Sequence, residues 1–184
     1  MAIVPPPAVT AELDTRTAPL RPAWPALRWT GPQAWHLTLA FLGEVREEVV
    51  PELTARLERA ARRHPAQALA VRGGGAFPSA ARARVLWAGV HADRPALAAL
   101  AASVAAGARR AGAPSPDEDR RFRPHITLAR LRDPADLRPL TAELDRLAGE
   151  SWTATRIELI HSRHPAPGAG RTPEYSRLGA WTLG

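Results

Sequence analysis

A chain of 184 residues with no cysteine and a formal net charge of +7 is long enough to bury a core without disulfides or metal. It cannot use cysteine nucleophiles, thiolate zinc sites or iron–sulfur clusters. All 25 of its cationic side chains are arginine, which reads as GC-rich coding, while the positive sign favours an anionic partner such as nucleic acid or a nucleotide. No window approaches the roughly 18 apolar residues of a spanning helix. The first 16 residues lack the basic-then-apolar order of a signal peptide, so a cytoplasmic protein with no membrane association is expected.

In chain order, residues 2–4 predict a short first strand, closed by the prolines at 5–7, with room for a short helix after them. Residues 27–30 read as extended. "HLTLAFLG" (36–43) alternates like a strand and ends at Gly43. Residues 46–64 predict a helix, with Leu53, Leu57 and Ala60 on one stripe and Pro51 near its first turn. "ALAVRGGGAFPS" predicts a strand broken by three glycines. Residues 83–91 predict a further strand, and 95–112 an Ala-rich helix stopped at Gly112. The polar stretch at 113–121 reads as a loop of the kind that is mobile or ligand-facing. After "HITLARL" a helix is expected, capped by Asp133 with Pro134 at its first position and Gly149 at its stop. Residues 152–164 predict one strand, followed by a turn and a closing strand.

Two stretches share His-x-Thr-Leu-Ala: "WHLTLAF" (35–41) and "PHITLAR" (124–130). On a strand, residues i and i+2 share a face. His36 and Thr38 therefore point together, as do His125 and Thr127, while Leu37, Leu39, Ile126 and Leu128 point to the core. Each pair leads into a strand–helix–strand–strand order, which suggests two similar α+β units facing one another. If the two motif strands lie together, two imidazoles and two hydroxyls converge. Two histidines can serve as one base and one acid. Threonine hydroxyls can donate to the non-bridging oxygens of a phosphate, and phosphoryl transfer needs this set. A cyclic phosphodiester suits it, because opening the ring needs only water, base and acid. Helical His spacing and neighbouring Asp or Glu are absent from both motifs, so no metal and no cofactor is expected.

Around the motifs, Arg123 shares parity with His125 and is a candidate phosphate contact. Arg130 has the opposite parity and reaches phosphate only if the chain twists or ends there. Phe41, opposite in parity to His36, reads as core ahead of base stacking. Phe122 and Trp35 are further stacking candidates. His64, His91, His161 and His164 stand outside any His-x-Thr frame and read as surface residues.

With its two His-x-Thr motifs, the chain resembles the 2H phosphoesterase superfamily. Within it, "WHLTLAFLGEV", "FRPHITLAR" and "HSRHPAPGAGRTPEYSRLGAW" are similar to the RNA 2′,3′-cyclic phosphodiesterase family, also described as 2′-5′ RNA ligase-like. The resemblance implies an α+β bilobal fold over residues 1–184 as a single domain, with antiparallel sheets lining a central cleft and helices outside. It implies hydrolysis of a terminal 2′,3′-cyclic phosphate on RNA, or of cyclic nucleotides, to a 2′-phosphomonoester by a monomer. His36 would be the proton donor and His125 the proton acceptor, with Thr38 and Thr127 on the phosphate. A 2′-5′ RNA ligation side activity and a non-enzymatic RNA-binding module are the alternatives. The opening strand is shorter and more Pro-rich than in the family, which predicts an irregular edge there.

Overall fold

The computed structural model describes residues 1–114, 116, 121–163 and 174–184. The 113–121 loop is only partly among them. The turn at 164–173, with His164, lies outside them.

The elements run β1 (Ala2–Ile3), α1 (Pro7–Thr17), β2 (Arg28–Trp29), β3 (Leu37–Thr38), α2 (Val50–Ala61), β4 (Gln67–Phe77), β5 (Ala83–Ala92), α3 (Arg94–Arg110), β6 (His125–Ala135), α4 (Arg138–Leu144), β7 (Ala148–Ala154), β8 (Arg156–Arg163) and β9 (Glu174–Thr182). The strands follow the order β7-β4-β5-β6-β3-β1-β8-β9, with β2 also on β6, and all pairs are antiparallel. The centre of this path is the β6–β3 pair. On one side lie β5, β4 and β7, and on the other β1, β8 and β9. Two antiparallel halves therefore meet at the strands that carry the two motifs. Both ends of the sequence supply the β3 half, and the middle of the chain supplies most of the β6 half.

Helices cover the apolar face of each half. Helix α4 lies against β4 and α1 against β7, while α2 packs on α3 and β9. Val9 and Leu13, Leu53 and Leu57, Leu97, Leu100 and Val104, and Leu140 and Leu144 join Ile3, Leu37, Ile126 and Leu128 in one core. Helix α2 forms where Leu53, Leu57 and Ala60 recur on one face and Pro51 occupies the first turn. Helix α3 starts where the Asp93 carboxylate accepts from Ala96 N–H at 3.1 Å, and the chain turns at Gly112 with φ of +87°. Among the described residues no helix is long and apolar enough to cross a membrane.

Several sequence-based expectations are corrected. The glycines of β4 do not break it. Gly73 (φ +63°) sits in a register shift between Val71 and Gly74, and the strand continues to Phe77. Gly74 passes under Leu144 of α4, where a Cβ would lie 2.5 Å from the leucine Cβ. The helix expected from Asp133 begins at Arg138. The β6 ladder runs on through Asp133 and Pro134 to Ala135, and the N-cap position falls on Leu137, which makes no side-chain cap bond, while the Asp136 carboxylate just before it accepts from Arg138 N–H at 3.0 Å. Gly149 lies inside β7, and the strand expected at 152–164 is two strands, β7 and β8. Strands β3 and β1 are only two residues each, and β1 lies inside the sheet between β3 and β8, where an irregular edge was expected.

Candidate active site

One register pair at the centre sets the site. Leu37 of β3 stands opposite Ile126 of β6. These are the middle residues of the two motifs, and both are fully buried. One step to either side, antiparallel geometry brings His36 opposite Thr127 and Thr38 opposite His125, about 4.5–5.5 Å apart at Cβ. Each histidine thus faces the other motif's threonine. Across the sheet the same face reads Gly75–Trp87–Thr127–His36 in one row and Gly89–His125–Thr38–Ala2 in the next. The opposite face reads Ala88–Ile126–Leu37–Ile3, all of it core.

Both imidazoles are held in the same way. His36 Nδ1 lies 2.8 Å from the Ala34 carbonyl, and His125 Nδ1 lies 2.6 Å from the Arg123 carbonyl. A carbonyl only accepts, so Nδ1 carries the proton in both rings, and each Nε2 is left to work on a ligand. Burial pushes both histidines below their ordinary value of 6.5. The backbone bonds oppose that shift, and the Arg130 guanidinium adds to it for both rings. The positive charge of His125 lowers His36 further, so the two do not readily carry protons at once. Burial therefore favours the neutral form of each ring, in which Nε2 is an acceptor.

The rings have different neighbours. His36 meets Tyr175 of β9 edge-on, with centroids 5.2 Å apart. His125 meets Phe77 of β4 edge-on at 5.0 Å and Trp87 of β5 at 6.1 Å. Phe77 and Trp87 also contact one another at 5.3 Å, forming an aromatic wall on the His125 side. Gly75 makes room for it, since a Cβ there would lie 2.3 Å from the Trp87 ring.

Arg130 reaches this face through a bulge. Leu86 pairs with Ala129 and Trp87 with Thr127, which leaves Leu128 as an extra residue in β6. Leu128 and Ala129 are consequently both buried, and Arg130 swings to the side of His125 and Thr127. There it joins the row Phe77–Val85–Arg130–Arg28. The parity objection to Arg130 does not hold, because strict alternation stops at Leu128. The Arg123 guanidinium lies 5.9 Å over the Phe77 ring, on the same side as His125.

A family model described as the 2′-5′ RNA ligase superfamily matches residues 5–165. The chain belongs to the 2′-5′ RNA ligase superfamily. Among its relatives, a protein of Thermus thermophilus named RNA 2′,3′-cyclic phosphodiesterase is 32% identical over 180 residues, covering 96% of this chain and 83% of the relative. A protein of the same name from Aquifex aeolicus is 33% identical over 105 residues. That match covers 57% of this chain and little more than half, 55%, of the relative. The crystal structure of the Thermus thermophilus protein TT0787 superposes with a TM-score of 0.79 at 31% identity, covering 99% of this chain and 95% of that one. As a member of this superfamily, the chain is an enzyme with the α+β fold expected of it.

Of the aromatic candidates in this superfamily member, Trp35 is overturned as a stacking platform. It is 2% exposed, and its indole N–H donates to Thr30 Oγ1 at 2.9 Å. Thr30 Oγ1 in turn donates to the Thr127 and Leu128 carbonyls, both at 2.9 Å. Trp35 is therefore a strut that ties the approach to β3 onto β6. Phe41 is 54% exposed, against the expectation of core. The β3 ladder ends at Thr38, so alternation no longer governs Phe41. Phe122 is half-buried and packs against the core. Sequence reasoning missed Phe77, Trp87 and Tyr175. Phe77 and Trp87 share alternation parity with the site face in their own strands, but nothing in the sequence says that β4 and β5 lie beside the second motif. His91 and His161 are exposed and His64 half-buried.

Proposed function

We propose that this enzyme hydrolyses the 2′,3′-cyclic phosphate at RNA ends to a 2′-phosphomonoester by two-histidine, metal-independent general acid–base catalysis. The observation that carries this reading is the matched pair of imidazoles. Each is fixed through Nδ1 to the carbonyl two residues back, and each faces the other motif's threonine. His125 Nε2 takes a proton from water as its oxygen attacks phosphorus opposite O3′. The P–O3′ bond breaks, and His36 Nε2–H delivers a proton to the departing O3′. Thr38 and Thr127 donate hydrogen bonds to the non-bridging oxygens, and Arg130 and Arg123 neutralise the charge gathering on them. Both histidines come from one chain, so a single domain spanning residues 1–184 suffices as a monomer. Phe41, with its ring open to solvent, offers a face on which a base of the RNA strand can stack, ahead of the half-buried Phe122.

Incubation of the protein with an oligoribonucleotide ending in 2′,3′-cyclic phosphate, with EDTA present, should yield the 2′-phosphate. An intact ring, or activity abolished by the chelator, would refute the proposal. The superfamily's description supports a second use of the same site, in which the 5′-hydroxyl of another RNA replaces water and forms a 2′-5′ linkage. At ordinary water concentration that reaction is a minor branch. A non-enzymatic RNA-binding role would leave the poised histidine pair without a purpose.

A further inference from the structure

Arg130 has a partner on the next strand that the reaction above does not use. Strand β2 is only two residues long, yet it holds Arg28 directly opposite Arg130, on the same face of the sheet. Directly opposed residues lie about 4.5–5.5 Å apart at Cβ, and like charges placed so destabilise a sheet. Nothing in the fold relieves this pair. Among the described residues neither guanidinium has a carboxylate partner. Arg21, which lies over Trp29, the other residue of β2, is by contrast paired with Asp14. Both Arg28 and Arg130 are exposed, so their charges are open to a ligand.

Arg28 is also held firmly. Two residues on, the Thr30 N–H donates to the Leu128 carbonyl at 2.8 Å. The Thr30 hydroxyl reaches the Thr127 and Leu128 carbonyls, and Trp35 bonds to the same hydroxyl. A repulsive pair fixed in place by its surroundings points to a ligand that relieves it.

The pair's position indicates which ligand. Arg130 is close enough to the motif histidines for its charge to act on both. Arg28 stands beside it in the row Phe77–Val85–Arg130–Arg28. A ligand held by the histidines and by Arg28 at once needs a second anionic group besides the cyclic phosphate. In the terminal nucleotide the cyclic phosphate occupies O2′ and O3′, so the next phosphate is the one on O5′. In RNA it is the diester to the preceding nucleotide, with a single negative charge shared by its non-bridging oxygens. Two guanidinium forks can each donate to one of those oxygens. We propose that Arg28, together with Arg130, binds the internucleotide phosphodiester on the 5′ side of the terminal nucleoside, an inference that rests on the cyclic phosphodiesterase reading above. Arg28 is then a specificity residue, favouring an RNA end over a cyclic mononucleotide, which has no such diester.

The test compares two substrates that differ in one charge. Both are diribonucleotides ending in a 2′,3′-cyclic phosphate. One has the natural diester between its nucleosides, and the other a neutral methylphosphonate. The unaltered enzyme should favour the charged linkage about tenfold in kcat/KM, the size of one charge-assisted hydrogen bond. Arg28→Gln should bring that ratio close to one. On the natural substrate it should also lower the slope of log kcat/KM against log salt concentration by about one. Arg28→Lys keeps the charge without the fork and should retain part of the preference. A merely structural role for Arg28 would lower both substrates alike and leave the ratio unmoved. Equal use of the two linkages by the unaltered enzyme, or an unchanged ratio in Arg28→Gln, would overturn the phosphodiester contact and leave the cyclic phosphodiesterase reading standing. If the unaltered enzyme opens neither ring, that reading itself falls, and the contact with it.

Discussion

The two halves of the sheet hold equivalent histidines by unequal means. Around His125 the strands are long: β4, β5 and β6 run for 11, 10 and 11 residues, and Phe77 and Trp87 back the ring. Around His36 the strands β1 and β3 are two residues each. There the position is kept by a chain of single contacts, from Trp35 to Thr30 to the β6 backbone. The local geometry of both imidazoles is nevertheless the same. A side-chain geometry can thus be repeated without repeating the scaffold, provided the same backbone bond fixes each ring and one register pair aligns the two.

The largest effect should ignore the difference between the halves. His36→Ala and His125→Ala should each lower kcat by at least about 10²-fold, as removal of a general acid or base does. Near-normal turnover in either variant, measured on an oligonucleotide cyclic phosphate, would break the equivalence. Arg130 acts on both rings, so Arg130→Ala should lower kcat/KM about 10–10²-fold, in line with the loss of a charged hydrogen bond to phosphate. The same change removes a charge that lowers both histidines, so the limbs of the pH–rate profile should move to higher pH. A drop in rate with unmoved limbs would place Arg130 away from the pair.

Smaller effects should separate the halves. Trp35→Phe deletes an indole N–H that is bonded to Thr30 and should cost about 1 kcal/mol in urea unfolding. Trp87→Phe deletes an indole N–H that is buried without a partner among the described residues, so it should cost less through that group. Equal losses would mean that the Thr30 link is not what braces the His36 side. The weakest signal is the pH dependence of stability. Both folded-state values lie below 6.5, so between them and 6.5 the unfolded chain binds more protons than the folded one. Stability should therefore decline as pH falls through that window, and the decline should be shallower in a His36→Gln, His125→Gln double variant.

Much of the site was legible because its signal has a period of two. His36, Thr38, His125 and Thr127 need only a strand to share a face, and Leu37 and Ile126 needed only to be apolar to be core. What escaped reading lies where periodicity fails or where contacts are distant in sequence. The bulge at Leu128 adds one residue to β6 and carries Arg130 across, and nothing local in "HITLARL" announces it. The glycines of β4 look like a breaker but serve as clearance, Gly74 for Leu144 and Gly75 for Trp87. Trp35 looks like an exposed aromatic beside a motif histidine, but it is buried, with a bond to Thr30 five residues back. Asp133 and Pro134 carry a capping signal that the β6 ladder overrides, because pairing with β5 continues through Ala83 and Ala135.

The Leu37–Ile126 pair behaves as a vernier with one working setting. A slip of one residue between β3 and β6 would exchange the faces and drive one motif's histidine into the core. A slip of two in one direction would keep the faces but set the two imidazoles directly against each other, with both threonines displaced. A slip of two the other way would set the threonines together and part the imidazoles. Only the observed notch gives each imidazole a hydroxyl from the opposite strand. Turnover in this enzyme is therefore also a gauge of alignment, one that would report a single-residue error between its two halves before any spectroscopic measure of overall folding did.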